Sequence, residues 1–339
     1  SRITGDALVT LPAAQTFTNI AAAGKRPAFA LAPMRGRYGL AVDIGTTTLA
    51  ASLVDLVSGE TVASATAGNP QRAIAADVIG RIEAALAGQS KRLQSLVHGE
   101  IERMRVELCV KRGLEEGDID HTVVTGNTTM LYLLTGRSPE PLSHAPFAAD
   151  CLFGHWAEAP LRRLYLPHCI GAFVGADITC AILASQMCKQ DRTALLMDVG
   201  TNGEIALWHN GKLSVCATAA GPAFEGGGIE HGCGSILGAI DRVWAQDGTL
   251  ACTTIGNETP VGICGSGVID AVAALLALQM LDETGALERE KIMLAGGVAF
   301  TQRDVRNVQL AKGAIAAGLL TLCQTEDVSM RDVDVLYLA

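Results

Sequence analysis

The chain has 339 residues, of which 49% are hydrophobic and 18% charged, enough length for two or three domain-sized units with real apolar cores. A formal net charge of -9 excludes a nucleic-acid or anionic-membrane surface, because phosphate affinity is supplied chiefly by clustered Lys and Arg. The longest apolar stretches, such as Ala271 to Met280, are too short to cross a bilayer, and the N-terminus lacks the charged-apolar-small order of a signal peptide; the expected compartment is the cytoplasm.

Residues 1–37 are rich in Ala, Thr and Pro and turn basic at Lys25, Arg26, Arg35 and Arg37. They read as the remnant of a preceding domain plus a linker. From Gly39 to Asp55 an apolar run is broken by a small polar turn and then resumed, the pattern of a β-hairpin: Val42 and Ile44 alternate with smaller or polar neighbours, and Leu49, Ser52, Leu53 and Val54 rebuild a strand. Gly45 lets the backbone bend, and Thr46, Thr47 and Thr48 offer hydroxyls and amides to one point. Such a turn can hold phosphate oxygens, with Asp43 at its entrance holding a hydrated Mg²⁺. An ordinary Thr-rich hairpin reads the same way.

Asn69-Pro70-Gln71 marks a turn, followed by helical spacing from Ala75 to Leu86 around Asp77, Arg81 and Glu83, and by a longer helix from Leu93 to Val110 with a charged outer face. Asp120 to Leu131 is a strand running into a Gly126-Asn127 turn that opens a helix, with Asn127 and Thr128 as N-caps; a plain cap explains them at least as well as ligand contact. Pro139 to Pro160 is a loop carrying His144 and His155 as surface residues. Ile170 to Ile178 reads as strand, turn and helix start, with Asp177 where a helix N-terminus favours a carboxylate.

Ala194 to Leu207 repeats the hairpin plan: an apolar strand, Asp198-Val199-Gly200-Thr201, then Asn202, Gly203 and Glu204 leading into a second strand. Two such hairpins point to an internal duplication. Facing each other across a cleft, they would clamp a polyphosphate, with Asp43 and Asp198 available to one metal. Gly221, Gly226, Gly227 and Gly228 around Glu225 mark backbone that bends sharply or admits a close neighbour, or a flexible loop. Gly265, Ser266 and Gly267 can present amides to a phosphate at a helix N-terminus, and close helix packing explains those glycines nearly as well. Thr301-Gln302-Arg303-Asp304 starts a helix running through Gln309, Lys312 and Leu319, and Val333 to Leu338 reads as a last buried strand. The ten cysteines are scattered singly without a Cys-x-x-Cys pair, as reduced side chains acting as small hydrophobes are; no zinc or iron–sulfur spacing is present, so no protein-bound cluster is expected in this sequence.

Six further motifs occur in order from about residue 38: Thr125-Gly126-Asn127-Thr128-Thr129-Met130, Phe173-Val174-Gly175-Ala176-Asp177, Met197-Asp198-Val199-Gly200-Thr201-Asn202-Gly203-Glu204, Ala220-Gly221-Pro222-Ala223-Phe224-Glu225-Gly226, Gly262-Ile263-Cys264-Gly265-Ser266-Gly267 and Thr301-Gln302-Arg303-Asp304-Val305-Arg306. With them the chain resembles the superfamily of acetate and sugar kinases, heat-shock chaperone ATPases and actin, and within it the reductive activators of corrinoid-dependent enzymes. The resemblance implies an α/β fold, a two-lobed actin-like (ribonuclease H-like, duplicated) ATPase with mixed sheets flanked by helices. Its lobes would be 38–190 and 191–339. The second is expected to be C-terminally incomplete, because the superfamily's adenosine-binding Gly-Gly turn belongs just beyond Leu336-Tyr337-Leu338-Ala339; Ala295-Gly296-Gly297 imitates it out of order.

The same resemblance implies ATP and Mg²⁺ as cofactors. Asp43, Gly45, Thr46, Thr47 and Thr48 would form one phosphate loop and Asp198, Gly200, Thr201, Asn202 and Gly203 the other, with Asp43 and Asp198 on the metal. Gly221, Glu225, Gly226, Gly265 and Ser266 would add nucleotide contacts, and Asp198, Glu204 and Asp177 are the catalytic expectations, a carboxylate orienting water for attack on the γ-phosphate. The implied function is ATP-dependent reduction of a Co(II) corrinoid, on a partner protein of a methyltransferase system, to Co(I). The electron would come from a ferredoxin-like domain with a two-iron two-sulfur cluster, expected before residue 1. Gly232-Cys233-Gly234-Ser235 departs from the bulkier Met-Arg pair expected there. A small-molecule kinase and a nucleotide-operated binding protein share this fold, and the sequence leaves both, and dimerisation, open.

Overall fold

Period-two alternation sets the first sheet. In the computed structural model, which describes residues 8–12, 37–158 and 163–339, β1 (Leu8–Pro12) is followed by β2 (Tyr38–Ile44), β3 (Thr48–Asp55), β4 (Thr61–Gly68), β5 (Ile119–Gly126), β6 (His155–Glu158) and β7 (Arg163–Leu166). The remainder of the 1–37 stretch lies outside the described residues. Along β2, Leu40, Val42 and Ile44 are buried while Ala41 and Asp43 face out, so one face enters a core and the other carries the polar chemistry. The sheet order is β4-β3-β2-β5-β7-β6, with β2 antiparallel to β3 and parallel to β5.

Helices α1 (Val78–Ala84), α2 (Ser90–Arg112) and α3 (Thr128–Thr135) belong to this sheet's core. Leu93, Val97, Ile101, Met104 and Leu108 of α2 recur at three- and four-residue spacing and are all buried, the apolar stripe that carries a helix onto a sheet. Gly113 ends α2 in the left-handed conformation, and Gly113 and Leu114 return their amides to Val110 and Cys109.

A second sheet, ordered β1-β10-β9-β8-β16, is built by β8 (Ala194–Val199), β9 (Gly203–His209), β10 (Lys212–Thr218) and β16 (Val335–Leu338), with α4 (Ala176–Ser185) contributing Ile178 and Ile182 to its core. β1 runs antiparallel to β10, and β16 parallel to β8. Two expectations change here. Residues 170–173 form a tight turn instead of a strand, because the amides of Ile170 and Gly171 both donate to the Val174 carbonyl. The last strand is an edge strand, and alternation leaves Leu336 and Leu338 exposed at 53% and 69%.

The remaining strands are β11 (Ala239–Gln246), β12 (Thr249–Thr254) and β13 (Gly262–Ile263), ordered β12-β11-β13, and the hairpin β14 (Lys291–Ala295) and β15 (Val298–Thr301). Gly296 and Gly297, at φ of 57° and 88°, close that hairpin; two consecutive positive φ values are what a two-residue turn of matching twist requires. The Ala295-Gly296-Gly297 run is therefore a strand-to-strand turn. Helices α5 (Gly265–Ala277) and α6 (Gln302–Thr325) complete this region, whose core includes Ile240, Ile263, Val268, Leu275, Phe300 and Val305.

Packing divides the chain into two compact units. Of the described residues, unit 1 takes those up to Met197 together with Glu204–Ala217 and Leu322–Ala339, and unit 2 takes Asp198–Gly203 and Thr218–Thr321. Among the described residues no helix is long and apolar enough to cross a membrane.

Candidate functional site

Unit 1 holds the first Asp-x-Gly-Thr turn between β2 and β3. A Cβ on Gly45 would lie 2.6 Å from the Thr48 carbonyl oxygen, so only glycine closes the turn this tightly. Its carbonyls are all engaged by the protein. Gly45 O accepts from Asn69 Nδ2 at 2.8 Å, Thr46 O from Arg81 Nη2 at 2.6 Å, and Thr47 O from the Asn69 amide at 2.8 Å. Asn127 Nδ2 donates to the Thr46 hydroxyl at 3.2 Å while its Oδ1 caps α3 through the Met130 amide. Thr46 is buried, whereas Thr48 and Asp43 are exposed.

The parallel pairing of β2 with β5 sets Asp43 beside Thr125 and Ile44 beside Gly126. Gly175, the residue before α4, packs so closely on this strand end that a Cβ there would stand 2.4 Å from Asn127 Cα. Asp177 follows in the first turn of α4, its Oδ1 accepting the Ile178 amide. Both Asp43 and Asp177 act on the Cys180 thiol, which burial first and then these carboxylates push up to about 11 against the Thr125 hydroxyl. Two carboxylates expected from sequence thus bear on the same thiol of unit 1.

Unit 2 assembles Asp198, Gly200, Thr201, Gly221 and Glu225. The Thr201 hydroxyl donates to Glu225 Oε2, the Gly221 amide donates to the Thr201 carbonyl at 2.8 Å, and the Gly200 amide to the Asn202 carbonyl at 3.1 Å. Burial, and secondarily the charge of Glu225, hold the Asp198 carboxyl above the usual carboxylate range, the direction expected for two acids sharing a partly desolvated corner. Gly226 ends the short 222–225 helix at φ 79°, its ideal Cβ only 2.6 Å from the Cys233 carbonyl. Gly203 packs tightly as well, its ideal Cβ lying 2.6 Å from the Thr218 hydroxyl.

Other expected residues are placed differently. Glu204 is 5% exposed and belongs to unit 1, where its charge bears on Cys216. Gly265 and Gly267 serve packing: Cβ atoms there would fall 1.8 Å from the Phe224 carbonyl and 2.3 Å from that of Ile240. The Ser266 hydroxyl donates to the Asp241 carbonyl at 2.8 Å. Residues absent from the expectations support both corners. Asn69 and Arg81 hold the first turn, and Asp304 and Asn307 tie α6 to the glycine-rich loop through the Glu230 amide and the Gly228 carbonyl. Asn69-Pro70 signalled a turn, and Thr301-to-Asp304 a helix start; Arg81 carried no signal of burial.

Mixed sheets flanked by helices, with an Asp-x-Gly-Thr turn in each unit, define an α/β protein of the actin-like ASKHA class. Family models described as the RACo middle region and as the C-terminal domain of RACo, the ASKHA domain, match residues 38–190 and 192–339. The chain belongs to the RACo family, of which it carries these two regions. It is 33% identical over 341 residues to the corrinoid activation enzyme RamQ of Eubacterium limosum, covering 89% of this chain and 57% of that protein. It is 25% identical to a [Co(II) methylated amine-specific corrinoid protein] reductase of Methanosarcina barkeri, covering 89% of this chain and 62% of that one. A solved reductive activator for a corrinoid,iron-sulfur protein superposes with a TM-score of 0.83 at 33% identity, over 91% of this chain and 54% of the other. The chain thus spans roughly three fifths of the length of the two curated relatives.

Proposed function

We propose that this chain is the ATP-binding part of a reductive activator that converts the Co(II) corrinoid of a methyl-transfer protein to Co(I). The observation that carries this reading is the 33% identity to a corrinoid activation enzyme over 89% of the chain, on a fold with one Asp-x-Gly-Thr turn per unit. One electron enters the cobalt; its donor would be a two-iron two-sulfur domain beyond the sequence described here, and ATP hydrolysis would drive the transfer. Ten free cysteines suit a reducing, cytoplasmic setting.

The residues fit Mg²⁺ and a polyphosphate. Among the described residues no group of three or more His, Cys, Asp or Glu is arranged to hold a metal, and Mg²⁺ asks for less, binding through one or two carboxylates plus phosphate oxygens and water. Each unit would offer its own carboxylate and its own phosphate contacts: Asp43 with residues 45–48 in unit 1, and Asp198 with residues 200–203 in unit 2. Bound there, the ion would neutralise phosphate charge. Asp177, in the first turn of α4, would orient water for attack on the γ-phosphate. Glu225, bonded to Thr201, would fix the second turn, with Gly221 and Gly226 shaping the loop around it. Ser266 and Gly265 would act through helix placement, and Glu204 through the strand that follows the second turn.

ATP hydrolysis by the intact protein, measured with and without a Co(II) corrinoid protein while cobalt oxidation state is followed optically, tests the reading. Stimulated hydrolysis with Co(I) appearing supports it. Hydrolysis or phosphoryl transfer indifferent to the corrinoid protein moves the assignment to a kinase or a nucleotide-operated switch.

A further inference from the structure

Arg81 lies on α1 with its side chain 0% exposed, a costly place for a guanidinium unless every donor finds a partner. Its partners are neutral. Nη2 donates to the Thr46 carbonyl at 2.6 Å, Nε to the Ala75 carbonyl at 3.1 Å, and Nη1 to Gln71 Oε1 at 3.3 Å, with Met130 Sδ at 3.2 Å. None of the ion pairs among the described residues includes it. Burial pulls its pKa down to about 10, with Asp77 opposing and Arg72 adding to the shift, so the group stays charged at neutral pH. An apolar side chain of similar volume would fill such a site at less cost, which asks what the charge does there.

The answer lies in the peptide it grips. A peptide unit is planar and trans, so its N–H points opposite to its C=O. Fixing the Thr46 carbonyl toward Arg81 aims the Thr47 amide away from it. Asn69 does the same to the neighbouring peptides, through the Gly45 and Thr47 carbonyls. Three consecutive carbonyls of the turn are thus each held by a donor of the protein, which fixes the direction of the Thr46, Thr47 and Thr48 amides, and anions are received by backbone amides whose directions are fixed.

We propose that Arg81 is the positioning residue of the 45–48 phosphate turn, setting the orientation of the Thr46–Thr47 peptide and placing a fixed, solvent-shielded positive charge next to a bound nucleoside di- or triphosphate. This rests on the nucleotide reading above and adds to it a residue that does not touch the ligand.

The test is titration calorimetry on the intact protein with Mg·ATP, Mg·ADP and adenosine, for wild type, Arg81→Met and Arg81→Lys. Arg81→Met is expected to lose Mg·ATP affinity by about tenfold or more while adenosine affinity holds within about twofold. Arg81→Lys, which keeps the charge but not the fork, falls between. Parallel losses of ATP and adenosine would mean a merely structural role and overturn the proposal, as would unchanged ATP binding in both variants. Should Arg81→Met lack a cooperative melt, Arg81→Lys decides: a folded lysine variant with the wild-type ratio of ATP to adenosine affinity overturns it. Wild-type protein that binds neither nucleotide would instead remove the nucleotide reading itself.

Discussion

Asp304 Oδ1 accepts the Glu230 backbone amide at 2.8 Å across 74 residues of sequence. The other carboxylate oxygen accepts the Thr301 amide and hydroxyl, both at 2.8 Å, and the residue is 0% exposed. One buried acid therefore starts α6 and anchors the glycine-rich loop of unit 2. Asp304→Ala strands the buried Thr301 amide and the part-buried Glu230 amide and is expected to destabilise the protein by about 3 kcal/mol, with Asp304→Asn losing roughly half as much. Urea midpoints measure both, and an alanine variant as stable as wild type would remove the anchor.

Glycines separate by what surrounds them. Gly265→Ala places a methyl 1.8 Å from the Phe224 carbonyl and is expected to cost at least about 3 kcal/mol. Gly313→Ala, exposed within α6 with nothing within 4 Å of its Cβ position, is expected to stabilise by about 0.5–1 kcal/mol. Thermal melts of the two variants should shift in opposite directions.

Asp198 carries a pH signature. Burial and then Glu225 raise its carboxyl pKa, so the folded state binds this proton more tightly than the unfolded chain, and stability falls as pH rises from the unfolded value toward the folded one. Asp198→Asn removes that penalty. Its melting temperature should exceed wild type at neutral pH, and the gain should vanish on acidification below the ordinary aspartate range; a gain that persists there contradicts the linkage.

For the nucleotide, Asp43→Ala and Asp198→Ala should each weaken Mg·ATP binding by about tenfold or more, roughly 1.4 kcal/mol. Calorimetry in excess Mg²⁺ reads this directly. Unchanged affinity in both variants sinks the assignment of the two turns.

Thiol reactivity follows burial. The thiols of Cys169, Cys188 and Cys216 are each pushed up to about 12, chiefly by desolvation, and thiolate is the form that alkylates. Iodoacetamide at neutral pH should leave all three unmodified in the native protein and label them after unfolding, as mass spectrometry of peptides will report.

Local chemistry was what the sequence could show. The β2–β3 hairpin, the Asn127 cap and the helix start at Gln302 each depend on neighbours within a few residues, so alternation, a small polar cap and a Thr-x-x-Asp pattern were sufficient. Arg81 read as one polar position on a helix because the carbonyl it grips lies 35 residues away. Glu204 stood next to the second turn in sequence, yet it opens a strand buried on both faces from Gly203 to Trp208, where its charge bears on Cys216. At Gly265 and Ser266 close packing and anion binding select the same small residues, so the pattern alone does not separate the two. A strand at 170–173 failed for a related reason, since apolar content there serves a turn closed on one carbonyl.

Chain order gives the two units different histories. Unit 2 ends at Thr321, whereas unit 1, which begins first, needs Leu322–Ala339 and with it β16. On the ribosome, unit 2 has all its residues while β8 still lacks its parallel neighbour. That late pairing brings Asp334 back to the Thr193 amide over 141 residues, and such long-range parallel closure is slow. Until it forms, the β8 edge of the nascent chain is open to other strands, a vulnerability that belongs to synthesis and leaves no trace in the finished fold.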